Sequence, residues 1–294
     1  MALTFEILTD SSCDLSYSFA QELQIHSIPL CVTKDGEDIW NHLDGDPAAA
    51  LDMHEFYNAL RYKAITSTTA ANPATWCDAM EAILSQGKDL LVLAFSSGLS
   101  GTYASCVQAA QEMKEKYPER TLLVADTLCA SLGQGLLVYH AAQRRKEGMT
   151  IHQVHQWVED HKLNLCHWFT VDDLMFLKRG GRVSAATAVA GTLLKIKPVM
   201  HVDNEGHLIK VTTARGRKAS IEALAERMAH TAIEPEKQVV FISHGDCLEE
   251  AKYLADLVRE KLHPVDVVIG YVGPVIGAHS GPGTLALFFL GTER

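Results

Sequence analysis

The chain has 294 residues, 47% of them hydrophobic, with 26 Lys and Arg against 36 Asp and Glu for a net charge of −10. That length and apolar content suffice for two ordinary domains, each with its own core. The acidic balance provides no long-range field toward nucleic acid or anionic membranes, so any anion site has to be local. No apolar run approaches the ~20 residues that span a bilayer, and the opening Met-Ala-Leu-Thr-Phe-Glu lacks the regions of a signal peptide. A cytoplasmic protein without stable membrane insertion is expected. Seven scattered cysteines (Cys13, Cys31, Cys77, Cys106, Cys129, Cys166, Cys247) contain no C-x-x-C pair, against a disulfide framework or a thiolate zinc site. His152, His155 and His161 lie in a polar, helix-like stretch without the i, i+4 pairing of helical metal ligands, and no metal is expected.

Residues 5–10 form a short strand ending in Asp-Ser-Ser, and 16–23 follow with helical spacing. Residues 25–32 read as a further apolar strand, 53–62 as a helix, and 76–84 as an amphipathic helix introduced by Asn72-Pro73. A continuously apolar strand at 89–95 precedes a helix at 101–116, a strand at 121–125 and a helix at 135–147. Strands without alternation, separated by helices, predict a parallel sheet covered on both faces. After about residue 165 the texture changes. Short strands at 168–171, 198–202 and 208–211 surround the hairpin turn Asp203-Asn-Glu-Gly206. A helix at 219–230, a strand at 238–244, a helix at 247–261 and a strand at 267–271 complete an α+β block with a mixed sheet. The division is therefore an α/β domain over residues 1–165 and an α+β domain over 166–294.

Ligands of open parallel sheets bind beyond the carboxyl ends of the strands. Here those ends carry Asp10-Ser11-Ser12, the run Ser96-Ser97-Gly98-Leu99-Ser100-Gly101-Thr102, and Asp126-Thr127, with Thr66-Ser67-Thr68-Thr69 ahead of a proline-started helix. Asp10 and Asp126 read as helix caps. One cap needs one hydroxyl, however, so the 96–102 run offers donors for a carboxylate or phosphate, with glycines that permit close backbone approach. No G-x-S-x-G elbow, Walker A loop or G-x-G-x-x-G motif is present. Two segments of the second half also stand out. Lys178, Arg179 and Arg182 decorate the glycine turn of residues 177–184, and His279 lies in the glycine- and proline-rich stretch 273–284, read as a tight loop where a histidine suits ligand contact better than core filling.

In this order and spacing, Asp10-Ser-Ser-Cys-Asp14, Thr66-Ser67, Ser96-Ser-Gly-Leu-Ser-Gly-Thr102, Asp126-Thr127, Leu177-Lys-Arg-Gly-Gly-Arg-Val-Ser184 and Gly277-Ala-His-Ser-Gly-Pro-Gly283 resemble the DegV family across essentially the whole chain. The resemblance implies the two-domain DegV-like fold holding one long-chain fatty acid between the domains. It also implies a carrier without catalytic residues or cofactor of its own. Known members include subunits that present the bound carboxyl group to a separate ATP-binding fatty acid kinase subunit. Position by position, it places the carboxylate at Thr66, Ser67, Ser96, Ser97 and His279, and puts Lys178, Arg179 and Arg182 on a rim facing the kinase. Family sequences commonly continue Thr-Ser-Gln-Pro-Ser, whereas this chain reads Thr66-Ser-Thr-Thr-Ala70, which leaves Thr68 and Thr69 in doubt as contacts.

Candidate walls for the alkyl chain are Ile65, Leu99, Phe176, Leu193, Leu194 and Ile276, with Leu174, Met175, Val189 and Phe288 beside them. At roughly 0.8 kcal/mol per buried methylene, a chain of about fourteen methylenes offers on the order of 11 kcal/mol before entropic costs. Two other classes compete with the carrier. One is a serine-dependent acyl hydrolase using residues 96–100 with His279, and the other is a regulatory module that senses lipid through the same pocket.

Overall fold

The structure, a computed structural model, describes residues 4–49, 51–186 and 196–294. Val189, Leu193 and Leu194, three of the expected wall residues, lie outside the described residues. The first half runs β1 (Glu6–Asp10), α1 (Tyr17–Leu23), β2 (Ile25–Ile28), β3 (Leu30–Lys34), β4 (Glu37–Asn41), α2 (Met53–Arg61) and β5 (Thr66–Thr69). It continues with α3 (Pro73–Leu84), β6 (Leu90–Ala94), α4 (Thr102–Lys116), β7 (Leu122–Asp126), α5 (Leu132–Lys146) and α6 (Ile151–His161). The second half contains β8 (Leu165–Thr170), α7 (Leu174–Arg179), β9 (Ile196–Val202), β10 (Leu208–Arg215), α8 (Arg217–Thr231), β11 (Val239–His244), α9 (Leu248–Leu262), β12 (Asp266–Tyr271), α10 (Pro274–Ser280) and β13 (Leu285–Leu290).

Three sheets result. The parallel sheet has the order β2-β1-β6-β7, and β3 is the centre of a small antiparallel sheet, β4-β3-β5. The stretch 25–32 was expected as one strand, but it divides at Pro29, which has no N–H to continue a ladder. Ile25 to Ile28 then pair with β1, while the chain beyond turns into the second sheet. The third sheet, β10-β9-β8-β13-β11-β12, is mixed, parallel only between β11 and β12. The expected domain division falls at the first residue of β8.

Side-chain alternation along the strands sets the layering. Ile7 of β1 and Leu91 and Leu93 of β6 pack into one core, whereas Leu8 and Val92 pack into another against Trp76 and Met80 of α3 and Cys106 and Ala109 of α4. The first of these cores also receives Phe169, Phe241 and Phe288 from the mixed sheet. The opposite face of that sheet, through Val240, Ile242 and Leu287, packs under α8 and α9. Helix α5 thus lies between the two large sheets, and most of its residues are buried, so it has no strong polar face. Its glycines make this possible: a Cβ at Gly133 would sit 2.1 Å from Nε2 of His167 on β8.

Two segments differ from their expected form. Residues 273–284, expected as a tight loop, contain α10, with Pro274 in its first turn and Gly281 at φ 79° ending it. Proline is pre-organised for a helix start and glycine for the left-handed exit, so the same residues that suggested a loop punctuate about two helical turns. The apolar tail after it is the strand β13, central in the mixed sheet between β8 and β11.

Candidate functional site

Between the parallel-sheet half and the mixed-sheet half is a cavity of about 240 Å³. Phe95, Phe169, Leu177, Val202, Leu208 and Phe288 provide much of its apolar wall, and Leu30, Val272, Val275 and Ile276 provide another side. Its polar groups include Thr68 and Thr69 of β5, Ser100 after β6, Arg182 after α7, and His279 and Ser280 of α10.

β5 explains which threonine faces inward. Its alternation leaves Thr66 and Thr68 half-buried and Ser67 and Thr69 exposed, and Thr68 lies where β5 passes α10. Thr68 Oγ1 is 2.7 Å from His279 Nε2. On the other side of the ring a Cβ at Gly180 would meet His279 Nδ1 at 2.2 Å, so only glycine lets the 180–182 turn approach so closely. Burial, with the nearby Arg182 charge second, pushes the His279 pKa down to about 4, and the ring is neutral at physiological pH.

Arg182 is the cation of this region. Its guanidinium donates to the carbonyls of Gly180 and of Leu99, the latter at 3.1 Å. It forms no ion pair with an acidic side chain among the described residues, and burial lowers its pKa. A half-buried guanidinium on an apolar cavity wall, with neutral acceptors alone among the described residues, is electrostatically prepared for an anion. It was expected on the rim; the structure puts it in the wall. Arg179 is exposed and stacks on the Phe176 ring at 4.4 Å, and neither it nor Lys178 lines the cavity.

The hydroxyls of residues 96–102 are used mainly by the turn itself. Ser96 is fully buried, donates to Gly206 O at 3.1 Å and accepts from Gly98 N at 3.2 Å. It therefore ties this turn to the β9–β10 hairpin. The Ser97 amide donates to Asp126 Oδ1 at 3.2 Å and its side chain is exposed. Ser100 Oγ accepts from Thr102 N at 3.2 Å, a local bond two residues along the chain just ahead of α4. Leu99, Ser100 and Gly101 line the cavity, whereas Ser96 and Ser97 do not. No hydrogen bond joins His279 to a serine of 96–100 among the described residues, so the hydrolase reading finds no nucleophile and base pair there.

Of the other expected residues, Ile276, Leu99, His279 and Phe288 line the cavity. Thr66, Ser67, Leu174, Met175 and Phe176 do not, and Ile65 is 80% exposed at the start of β5. Phe176 covers Gly281 just behind the His279 helix.

Several wall residues gave no signal in the sequence. Ser131, before α5, adopts φ 54° and ψ −147°, an uncommon backbone for a side-chain-bearing residue. Its hydroxyl donates to Asp14 Oδ2 at 2.5 Å and lies 3.1 Å from Ser243 Oγ, and both serines line the cavity. Burial raises the Asp14 pKa to about 7. His167 accepts from Ala130 N through Nε2 at 3.2 Å, so Nδ1 carries the proton and faces Leu165 O at 3.1 Å. Burial first, and the Arg294 charge second, hold His167 neutral. Only a three-dimensional arrangement joins residues 14, 131, 167 and 243.

The one group of potential metal ligands among the described residues, Asp203, Glu205 and His207, is in the β9–β10 turn, where Asp203 already accepts the Glu205 and His207 amides at 2.9 Å. None of the three lines the cavity. Among the described residues no helix is long and apolar enough to cross a membrane.

The geometry can be set beside known proteins. A DegV domain-containing protein of Clostridium perfringens (strain 13) is 44% identical over 290 residues, covering 99% of this chain and 98% of the relative. Among solved structures, a DegV lipid-binding protein from Thermotoga maritima is 30% identical with a TM-score of 0.85, covering 99% of both chains. A DegV protein from Thermus thermophilus, described for its fatty acid binding, is 28% identical with a TM-score of 0.87, covering 98% of this chain and 99% of its own. DegV of Bacillus subtilis, described as a fatty acid binding protein, is 27% identical with a TM-score of 0.82. The family model described as uncharacterised protein, DegV family, matches residues 4–292. With a match of that extent, and with sheets and cavity in the arrangement above, the chain belongs to the DegV family.

Proposed function

We propose that this protein binds one long-chain fatty acid, its alkyl chain in the cavity between the two halves and its carboxylate among Thr68, His279 and Arg182. The observation that carries this reading is an apolar cavity whose polar wall contains a guanidinium without an acidic partner among the described residues. A carboxylate supplies the missing charge, and the neutral His279 and Thr68 add directed hydrogen bonds at ~1 to 3 kcal/mol each. The alkyl chain supplies the larger part of the affinity through apolar burial. Relatives described as fatty acid or lipid binding support the same ligand class. Of the contacts the resemblance implied, His279 lines the cavity; Thr66 and Ser67 do not, and Thr68, which does, is the threonine this reading assigns to the carboxylate.

The finer part of the reading is presentation of the carboxyl group to an ATP-binding kinase subunit for acyl-phosphate formation. Exposed Arg179, with half-buried Lys178 on the same helix, suits an approach by that partner's anionic nucleotide or acidic surface. Mass spectrometry of organic extracts of natively purified protein tests the binding. About one equivalent of intact fatty acid is expected, and its absence, or an acyl adduct on a serine, refutes the reading. Phosphorylation of the bound acid by the kinase subunit tests presentation. Lys178→Ala with Arg179→Ala should leave lipid bound and slow phosphorylation, while an unchanged rate removes this helix from the partner surface.

A further inference from the structure

Ser280 is the last residue of α10, directly after His279, and it is 5% exposed. It lines the cavity, and its hydroxyl has no hydrogen-bond partner among the described residues. The other buried wall hydroxyls are paired. Ser131 bonds to both Asp14 and Ser243, so each of the two serines has a partner, and Thr284 Oγ1 donates to Ser280 O at 3.0 Å and Gly281 O at 2.8 Å. An all-methylene chain passing Ser280 leaves a buried hydroxyl unpaired, which a bound oxygen substituent would correct.

The position of Ser280 says where on the ligand that oxygen lies. Consecutive residues of a helix differ by about 1.5 Å in height and by about 100° in direction. His279 and Ser280 are therefore at the same end of α10, on adjoining parts of the cavity wall, and a ligand whose carboxylate meets His279 passes Ser280 within about two to four carbons. Resting on the fatty acid reading above, we infer that the pocket prefers long-chain acids carrying a hydroxyl or oxo group close to the carboxylate, the 3-hydroxy acids foremost, and that Ser280 determines this preference. A site with a polar group waiting for a ligand hydroxyl discriminates against the analogue that lacks it, because that analogue strands the polar group.

Competition against a bound fluorescent fatty acid on the full chain measures the preference, with hexadecanoic, 3-hydroxyhexadecanoic and 12-hydroxyoctadecanoic acids as competitors. The 3-hydroxy acid is expected to bind about tenfold more tightly than hexadecanoic acid, equivalent to ~1.4 kcal/mol, and Ser280→Ala should bring that ratio to about one. The 12-hydroxy acid should show no such Ser280-dependent gain. A wild-type ratio near one overturns the inference while leaving the fatty acid reading intact. An equal loss for both sixteen-carbon acids in Ser280→Ala also overturns it, because Ser280 would then be a carboxylate contact. Failure of hexadecanoic acid itself to compete removes the underlying reading, and the inference with it.

Discussion

Replacing Arg182 by methionine separates binding from folding, because the two should move in opposite directions. The substitution keeps the length and apolar stem of the side chain and removes only the guanidinium. Without ligand that group is half-buried with carbonyl partners alone among the described residues, and burial lowers its pKa, so its charged form costs free energy. Losing it should leave stability unchanged or raise it slightly, offset by the bond to Leu99 O, which joins the two halves. In the complex the guanidinium makes a charge-assisted bond to the carboxylate, of the kind that contributes ~1.5 to 3 kcal/mol. Affinity should therefore fall by roughly 10- to 150-fold. Displacement of a fluorescent fatty acid measures the affinity, and calorimetric melting of delipidated protein measures stability. A variant that binds within twofold of wild type would show that Arg182 is not the counter-charge. One that binds weakly only because it melts far lower would show that the group is structural.

Thr68→Val removes the hydroxyl bonded to His279 and should weaken binding several-fold, whereas Thr66→Val should leave it within twofold; the reverse order in the same displacement assay would return the site to the positions inferred from family resemblance. Gly180→Ala brings a methyl to 2.2 Å from His279 Nδ1 and should displace the ring, lowering retained lipid in native extracts; full retention would show that His279 does not hold the ligand. Acidification should destabilise the fold through its buried neutral histidines. The pKa values of His140, His244 and His279 are lowered to about 4, and that of His167 further. The unfolded chain therefore binds more protons than the native one between pH 6.5 and about 4, and stability falls as pH falls through that window. Asp10 and Asp14, with raised pKa values, oppose this, so the melting temperature should decline by less than four histidines alone would give. A melting temperature constant from pH 6.5 to 4.5 would contradict the burial of these rings as neutral groups.

The α/β organisation was legible because it depends on local pattern. The continuous apolar run at β6, the Asn72-Pro73 start of α3 and the Asp203-Asn-Glu-Gly206 turn each signal their element within a few residues. The split of 25–34 into strands of two different sheets was not legible in hydrophobicity, since both are apolar; Pro29 was the available sign. The glycines and proline around His279 indicated a sharp change of direction, and nothing local distinguished a loop from a short helix.

For the site, the residue types that punctuate the chain were readable, and so was the resemblance they formed together. His279, Leu99 and Ile276 stood out from sequence and line the cavity. Which hydroxyl turns inward is a matter of register: β5 alternates, so a one-residue difference in facing separates Thr68 from Ser67. Whether Arg182 is on a rim or in a wall depends on how the turn after α7 packs against the 96–101 loop, roughly eighty residues earlier in the chain. The chain by itself determined the elements and the small polar residues at their ends, because those follow from backbone propensity and spacing. Only the folded arrangement decided which of them share one cavity, because burial and pairing depend on contacts between segments that are far apart in sequence.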